Sequence, residues 1–223
     1  MASTTTAVHL TLGEATLRLL PEKAVLWDRT LFVADVHLEK ASFFQRQGFA
    51  VPKGGDAEDL ARLRMLLETH GCERLVVLGD FFHRPLRPGS TGQARLEAWL
   101  AALGRTGVSV TLVGGTHDGP VPPEGTEGRL HWEREGWRLG PLICRHEPSG
   151  AAEAPTLAGH LHPGYRLRAA RKSSLYGPVF WRRGQELILP AFGTLTGTMA
   201  VKPARGDALF LVADGAVYPL PAG

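Results

Sequence analysis

Cysteine is scarce in this sequence. Only Cys72 and Cys144 occur among 223 residues, and neither belongs to a Cys-x-x-Cys pair. A disulfide framework is therefore not indicated, and a reducing compartment suits the chain. No run approaches the roughly 18 apolar residues of a membrane-spanning helix, and the N-terminus lacks the pattern of a signal peptide. We expect a cytoplasmic protein with no membrane partner.

Several widespread catalytic motifs are also missing. The chain has no G-x-x-x-x-G-K-[ST] phosphate loop, no G-x-S-x-G nucleophile elbow and no H-E-x-x-H sequence. These chemistries therefore find little support. Charge of one sign is not in large excess either, because the formal net charge is only +3. Such a charge permits a phosphate-bearing partner but is weak evidence for one.

The overall composition is that of a folded protein. Hydrophobic residues make up 43% and charged residues 21% of the chain. The 27 glycines and 16 prolines are typical of short strands joined by tight turns. The length allows one domain with a sizeable core, and no linker or repeat divides it. We therefore expect residues 1–223 to form a single domain.

Short apolar runs that end in polar residues recur along the chain. In the first half they alternate with two helical patterns, over residues 56–70 and 93–103, with Asp56 as the expected cap of the first helix. From Trp132 onward we expect strands and turns, closing with a hairpin at Asp214-Gly215. The pattern predicts an α/β protein with packed sheets and helices outside them.

Side chains with metal-ligand chemistry follow five of these apolar runs. A single histidine at a strand end is usually a hydrogen-bonded structural residue, but five such runs are difficult to explain in that way. Two divalent cations about 3.5–4 Å apart can clamp a phosphate and activate a water. Carboxylates and imidazoles suit manganese, iron and zinc. The set predicts a metal-dependent phosphoesterase and consists of Asp35, His37, Asp80, His117, Asp118, His146, His160 and His162.

The same motifs resemble those of the calcineurin-like metallophosphoesterases, from about residue 31 to 162. The resemblance implies a four-layer α-β-β-α sandwich with a dinuclear metal centre. It implies that the first metal is held by Asp35, His37, Asp80 and His162, and the second by Asp80, Thr116, His146 and His160. Asp80 would bridge the two metals. His117 would protonate the leaving group and Asp118 would orient it.

Thr116 departs from the pattern of that family, which normally has asparagine at this position. A threonine hydroxyl is a poorer ligand than an amide oxygen and has a shorter reach. We therefore expect weakened affinity for the second metal, with activity retained when metal is abundant.

A narrower resemblance points to one bacterial branch, the ligase-associated DNA damage response (PdeM-type) endonucleases. It rests on residues 34–40, 44–52, 77–83, 146–148 and 189–197, and several of these segments would bind no metal. It implies manganese-dependent phosphodiesterase or DNA endonuclease activity in DNA repair, on single-stranded or duplex DNA, with a repair helicase as candidate partner. Iron or zinc would also suit the donor set. Glu39 and Gly114 depart from the pattern of this branch.

Basic residues cluster after the last metal motif. Arg166 and Arg168 alternate with Leu167, which places them on one face of a strand, and they are our candidate substrate-binding residues. The whole cluster is either a rim for the phosphates of nucleic acid or a solvated strand face. It comprises Arg166, Arg168, Arg171, Lys172, Arg182 and Arg183.

Two other functions remain open at this point. The first is a small-molecule phosphodiesterase or phosphatase of the same fold, which relative rates on DNA, cyclic nucleotides and phosphomonoesters would distinguish. The second is a catalytically impaired DNA- or helicase-binding module whose metal centre has decayed through Thr116. It predicts binding that is insensitive to chelator and no turnover.

Overall fold

The computed structural model describes residues 7–51, 54–150, 152–168 and 174–221. Seven strands form the first sheet, in the order in which they occur along the chain. They are β1 (Val8–Leu12), β2 (Ala15–Leu20), β3 (Ala24–Trp27), β4 (Thr30–Val33), β5 (Arg74–Leu78), β6 (Ser109–Val113) and β7 (Leu130–Glu133). Strands β1 to β4 are antiparallel, whereas β4 to β7 are parallel.

Helices supply two of the crossovers that these parallel strands need. Both α1 (Lys40–Arg46) and α2 (Gly55–Thr69) lie between β4 and β5, and α3 (Thr91–Arg105) lies between β5 and β6. The helices predicted over 56–70 and 93–103 are confirmed to within two residues at each end. The short helix α1 was not predicted. No helix among the described residues combines the length and apolarity needed to cross a bilayer.

The expected cap of α2 is wrong. The N-cap position is occupied by Gly54, with φ 98°, and Asp56 lies inside the first turn. The Asp56 carboxylate instead accepts the backbone N–H of Glu39 at 3.0 Å. Because it is buried against the loop that follows β4, it fixes that loop rather than the end of its own helix.

The second sheet is built from the C-terminal half of the chain. Its strands are β8 (Trp137–Leu139), β9 (Leu142–Cys144), β10 (Thr156–Ala158), β11 (Pro163–Arg168), β12 (Ser174–Arg183), β13 (Glu186–Ile188), β14 (Met199–Ala200), β15 (Ala208–Ala213) and β16 (Ala216–Pro219). Their order is β14-β11-β12-β13-β10-β9-β8, with β15 and β16 joined through β12. The hairpin predicted at Asp214-Gly215 connects β15 to β16.

The two sheets pack face to face. The sequence of β5 is a continuous apolar run because both faces of this strand are buried. Leu75 and Val77 pack against the helices, while Val76 and Leu78 face the second sheet. The predicted α/β sandwich is therefore confirmed. In the described part of the chain no helix covers the outer face of the second sheet, where a small cluster around Trp181 packs instead. Among the described residues all three helices end before residue 106, whereas the strands of the second sheet begin at residue 137.

Candidate metal centre

The strand ends of both sheets meet at one edge of the sandwich. Strands β4, β5 and β6 of the first sheet and β9 and β10 of the second are followed directly by the predicted metal ligands. Ligands of α/β sheets bind beyond the carboxyl ends of strands, which is where these side chains converge. Asp35 and His160 are 125 positions apart in the chain, yet the His160 N–H donates to Asp35 Oδ2 at 2.9 Å.

One group of ligand atoms comes from Asp35, His37 and His162, and these atoms lie within 4.8 Å of one another. The closest recorded pair is His162 Nε2 and Asp35 Oδ1, at 3.3 Å. Asp35 is fully buried and His37 nearly so. This group coincides with three of the four ligands predicted for the first metal.

A second group comes from Asp80, His146 and His160, again with ligand atoms within 4.8 Å of one another. His146 Nε2 lies 3.5 Å from Asp80 Oδ1 and 3.1 Å from His160 Nδ1. These residues are the ones predicted for the second metal, apart from Thr116.

Asp80 lies between the two groups. Its Oδ1 faces His146, while its Oδ2 lies 3.8 Å from His37 Nε2. One carboxylate oxygen therefore points to each group, which is the arrangement that a bridging ligand requires. Thr116 also reaches this residue, since its hydroxyl donates to Asp80 Oδ1 at 3.4 Å.

The donor set fits divalent cations. Both ring nitrogens of His37 and Nε2 of His162 are buried without a hydrogen-bond partner among the described residues. Burying such groups unpaired is costly, and cation coordination would satisfy them. Burial, reinforced by the charge of Lys40, lowers the pKa of His37 to about 2. The imidazole is therefore neutral at physiological pH, and this is the form that binds metal.

The backbone at the ligand positions is strained. Asp35, His37, Asp80, His160 and His162 all have positive φ, between 44° and 70°. Non-glycine residues rarely adopt this left-handed region, and such strain persists where surrounding contacts impose it. The sharp turns direct five side chains into one small volume.

Glycines let the strand ends approach each other closely. A Cβ on Gly79, which has φ 75°, would meet the His146 ring, and one on Gly159 would lie 2.9 Å from Asp35 Oδ2. A Cβ on Gly115 would lie 2.5 Å from Asp80 Oδ1. These three glycines are therefore required by the packing of the centre.

His117 lies at the open side of the centre, with 46% of its side chain exposed and Nε2 3.9 Å from Asp80 Oδ2. Its backbone N–H donates to Asp80 Oδ1 at 2.8 Å. Its Nδ1 lies 3.1 Å from the carbonyl oxygen of His83. A carbonyl can only accept, so Nδ1 carries the hydrogen of this bond and Nε2 is the atom free to exchange a proton.

Asp118 has a different geometry from the one expected. Its buried carboxylate accepts the N–H groups of Phe82 and Gly115, both at 2.8 Å. Asp118 therefore joins the loops that follow β5 and β6. The hydrogen bond of the His117 ring is made instead with the carbonyl oxygen of His83. Burial raises the pKa of Asp118 to about 6. Any effect of Asp118 on His117 passes through the backbone of the loop.

Comparisons with known proteins agree with this geometry. The calcineurin-like phosphoesterase family profile matches residues 28–186, which is more than half of the chain. The chain belongs to the calcineurin-like phosphoesterases. Like other members of this family, it is a metal-dependent phosphoesterase, and the family uses divalent metals.

Solved structures are similar to this calcineurin-like phosphoesterase. The nuclease MPE of Pseudomonas putida is 34% identical, with a TM-score of 0.79, and the match covers 96% of this chain and 100% of that one. This neighbour is consistent with the ligase-associated endonuclease branch. YfcE, a phosphoesterase from E. coli, is 19% identical, with a TM-score of 0.44 and coverage of 83% and 88%. A search of curated proteins found no match.

The basic cluster divides into two parts. Arg166 is exposed on β11, donates to Ser174 Oγ at 3.1 Å and lies over the Tyr176 ring. Arg183 instead forms a 2.6 Å ion pair with the buried Glu186, which is a structural role. Arg182 is equally local, because its side chain donates to the carbonyl of Gly184 at 3.0 Å.

Three members of that cluster cannot be placed. Arg171 and Lys172 lie outside the described residues, and for Arg168 only the backbone at the end of β11 is described.

His83 also lies at the centre, although its position in the sequence left open whether it reaches substrate or is a loop residue. Its ring stacks on that of His117 at 5.5 Å between centroids, and its ligand atoms form a third group with those of His37 and His117. Burial, followed by the charge of Lys40, lowers its pKa to about 4. The one sign in the sequence that it lies at the centre was that His83 stands three residues after Asp80. The Phe43 ring packs against the His83 ring, with 5.0 Å between the two ring centroids.

Proposed function

We propose that this protein is a dinuclear metal-dependent nuclease that hydrolyses phosphodiester bonds in DNA. The observation that carries the proposal is the pair of ligand groups that face opposite oxygens of Asp80. The likeness to a nuclease across 96% of the chain supports nucleic acid as the substrate.

The ligands divide between two cations. Asp35, His37 and His162 would hold the first, and His146 and His160 the second, with Thr116 beside it. Asp80 would be shared. Manganese is favoured by the sequence resemblance, and the mixed carboxylate and imidazole donors also suit iron and zinc.

The protein side chains contribute proton transfer and positioning. When bound, the cations would neutralise charge on the phosphate and activate the attacking water. When both ring nitrogens of His117 are protonated, Nε2 would donate its proton to the leaving oxygen while Nδ1–H stays on the His83 carbonyl, and the ring would be left as the neutral Nδ1–H form. Asp118 would hold the loop that carries His117 in place, because its carboxylate accepts backbone N–H groups from the loops after β5 and β6.

The wider biological setting is part of the same proposal. A role in DNA repair, a helicase partner, a cytoplasmic location and a single domain over residues 1–223 follow from the sequence resemblance and composition. Arg166, exposed on β11 four residues after His162, would contact a substrate phosphate, and Arg168 is proposed as its neighbour.

The test is cleavage of single-stranded and duplex DNA, with and without manganese, by the wild type and by Asp80→Asn. Glu58→Gln on the exposed face of α2 is the matched control, since it makes the same carboxylate-to-amide change away from the centre. We expect cleavage that needs metal, is abolished in Asp80→Asn and is unchanged in Glu58→Gln. Hydrolysis of cyclic nucleotides or phosphomonoesters without cleavage of DNA would contradict the nuclease proposal.

A further inference from the structure

A second concave surface adjoins the metal centre. It has a volume of about 390 Å³ and lies between α1 and the loop that follows β5. Its lining includes Phe43 and Arg46 from the helix and His83, Arg84 and Arg87 from the loop. We call it the arginine pocket.

The arginine pocket begins one side chain away from the centre. His83 lines the pocket, and its ring lies 5.5 Å from that of His117 and 5.8 Å from that of His37. Successive phosphates of one DNA strand are separated by a single nucleotide. When one phosphate is held at the metal centre, the next nucleotide therefore falls within reach of this pocket.

The arginine pocket carries uncompensated positive charge. Arg46, Arg84 and Arg87 are exposed, and no ion pair between described residues involves any of them. Glu39 is the one acidic residue in the lining, and its largely buried carboxylate lies 3.5 Å from Arg95. Three guanidinium groups are thus available to an anion, and guanidinium matches phosphate geometry.

The pocket also contains a stacking surface. The Arg84 guanidinium lies over the Phe43 ring, 4.1 Å from its centroid. Arg84 is exposed beside this ring, and guanidinium planes and aromatic rings are both surfaces on which nucleobases stack. The pocket therefore joins phosphate-binding groups to a platform for a base.

We propose that the arginine pocket is a subsite for the nucleotide next to the scissile phosphate. Arg46 and Arg87 bind its phosphate, and its base stacks on Arg84 over Phe43. This inference rests on the proposed nuclease function and specifies how the enzyme would hold its DNA substrate. A small aryl phosphodiester has no second nucleotide and would leave the pocket empty.

The test compares two substrates in each variant. Arg46→Gln and Arg87→Gln are assayed on a fluorescent oligodeoxynucleotide and on bis(p-nitrophenyl) phosphate, beside the control Arg138→Gln on the exposed face of β8. We expect kcat/KM on DNA to fall about tenfold in each pocket variant, as for loss of a charged hydrogen bond. Activity on the aryl diester should stay within twofold, and the control should match the wild type on both.

Binding supplies an independent measurement. In chelator, where no cleavage occurs, the salt dependence of DNA affinity should weaken by about 0.7 in the log–log slope for each pocket arginine removed. Equal losses on both substrates, no loss on DNA, or a loss as large in Arg138→Gln would overturn the subsite. An enzyme that cleaves the aryl diester but no DNA would refute the nuclease proposal itself, and this outcome is distinct.

Discussion

Replacing Gly115 with alanine tests the packing of the metal centre with a single methyl group. The added Cβ would meet the backbone nitrogen of Asp80 most closely and would lie 2.5 Å from Asp80 Oδ1, where ordinary contacts begin near 3.5 Å. Gly115 cannot easily retreat, because its N–H donates to Asp118. The backbone and the carboxylate of Asp80 must therefore both move by about 0.5–1 Å, and displacements of about 1 Å cost up to about 100-fold in rate.

The predicted result for Gly115→Ala has two parts. Hydrolysis of an aryl phosphodiester should fall about 100-fold in kcat, and overpacking of about 1–3 kcal/mol should lower the thermal midpoint by about 2–12 °C. Gly104→Ala is the control, because a Cβ there meets nothing within 4 Å and alanine favours helix α3. If Gly115→Ala retained a third or more of wild-type activity, the proposed tight packing around Asp80 would be wrong.

Two further substitutions test neighbouring residues. Thr116→Asn should tighten binding of the second metal, because an amide oxygen is a better ligand than the hydroxyl now directed at Asp80; an unchanged metal titration would remove this idea. Asp118→Asn should destabilise the metal-free protein by about 2–4 kcal/mol, because one of two backbone N–H groups loses its acceptor. Chemical denaturation measures this loss, and a change below about 0.5 kcal/mol would show that the carboxylate does not join the two loops.

The candidate metal ligands could be picked out because strand ends leave a clear record in the sequence. A buried strand such as β5 is an apolar run, and its end is marked where Gly79-Asp80 follows. Each predicted metal ligand with a carboxylate or imidazole side chain lies in one of two adjacent groups. Their roles in catalysis stay predictions until metal binding and activity are measured.

Other features depend on side-chain direction, which the sequence does not record. Asp118 is adjacent to His117 in the chain, yet its carboxylate turns toward the backbone of Phe82 and Gly115. Asp56 resembles a helix cap but accepts the Glu39 N–H. In both cases a tertiary contact prevails over the local interaction that the sequence suggests.

The arginine pocket illustrates a third kind of difficulty. Arg46 and Arg87 are 41 positions apart and lie in segments without a metal motif. Only the packing of α1 beside the loop after β5 brings them to the same cavity. The conspicuous basic residues of the second half include Arg183, which instead neutralises the buried Glu186. Density of charge along the chain therefore did not point to the arginine pocket.

The most direct test of the two-metal centre is a manganese titration with stoichiometry determined by calorimetry or electron paramagnetic resonance. The wild type should bind two ions per chain, with the spin coupling expected of neighbouring cations. Asp80→Asn should lose that coupling and weaken both sites, because one oxygen of this carboxylate lies toward each group. A wild type that binds one ion, or an Asp80→Asn variant that binds two with unchanged affinity, would contradict the account.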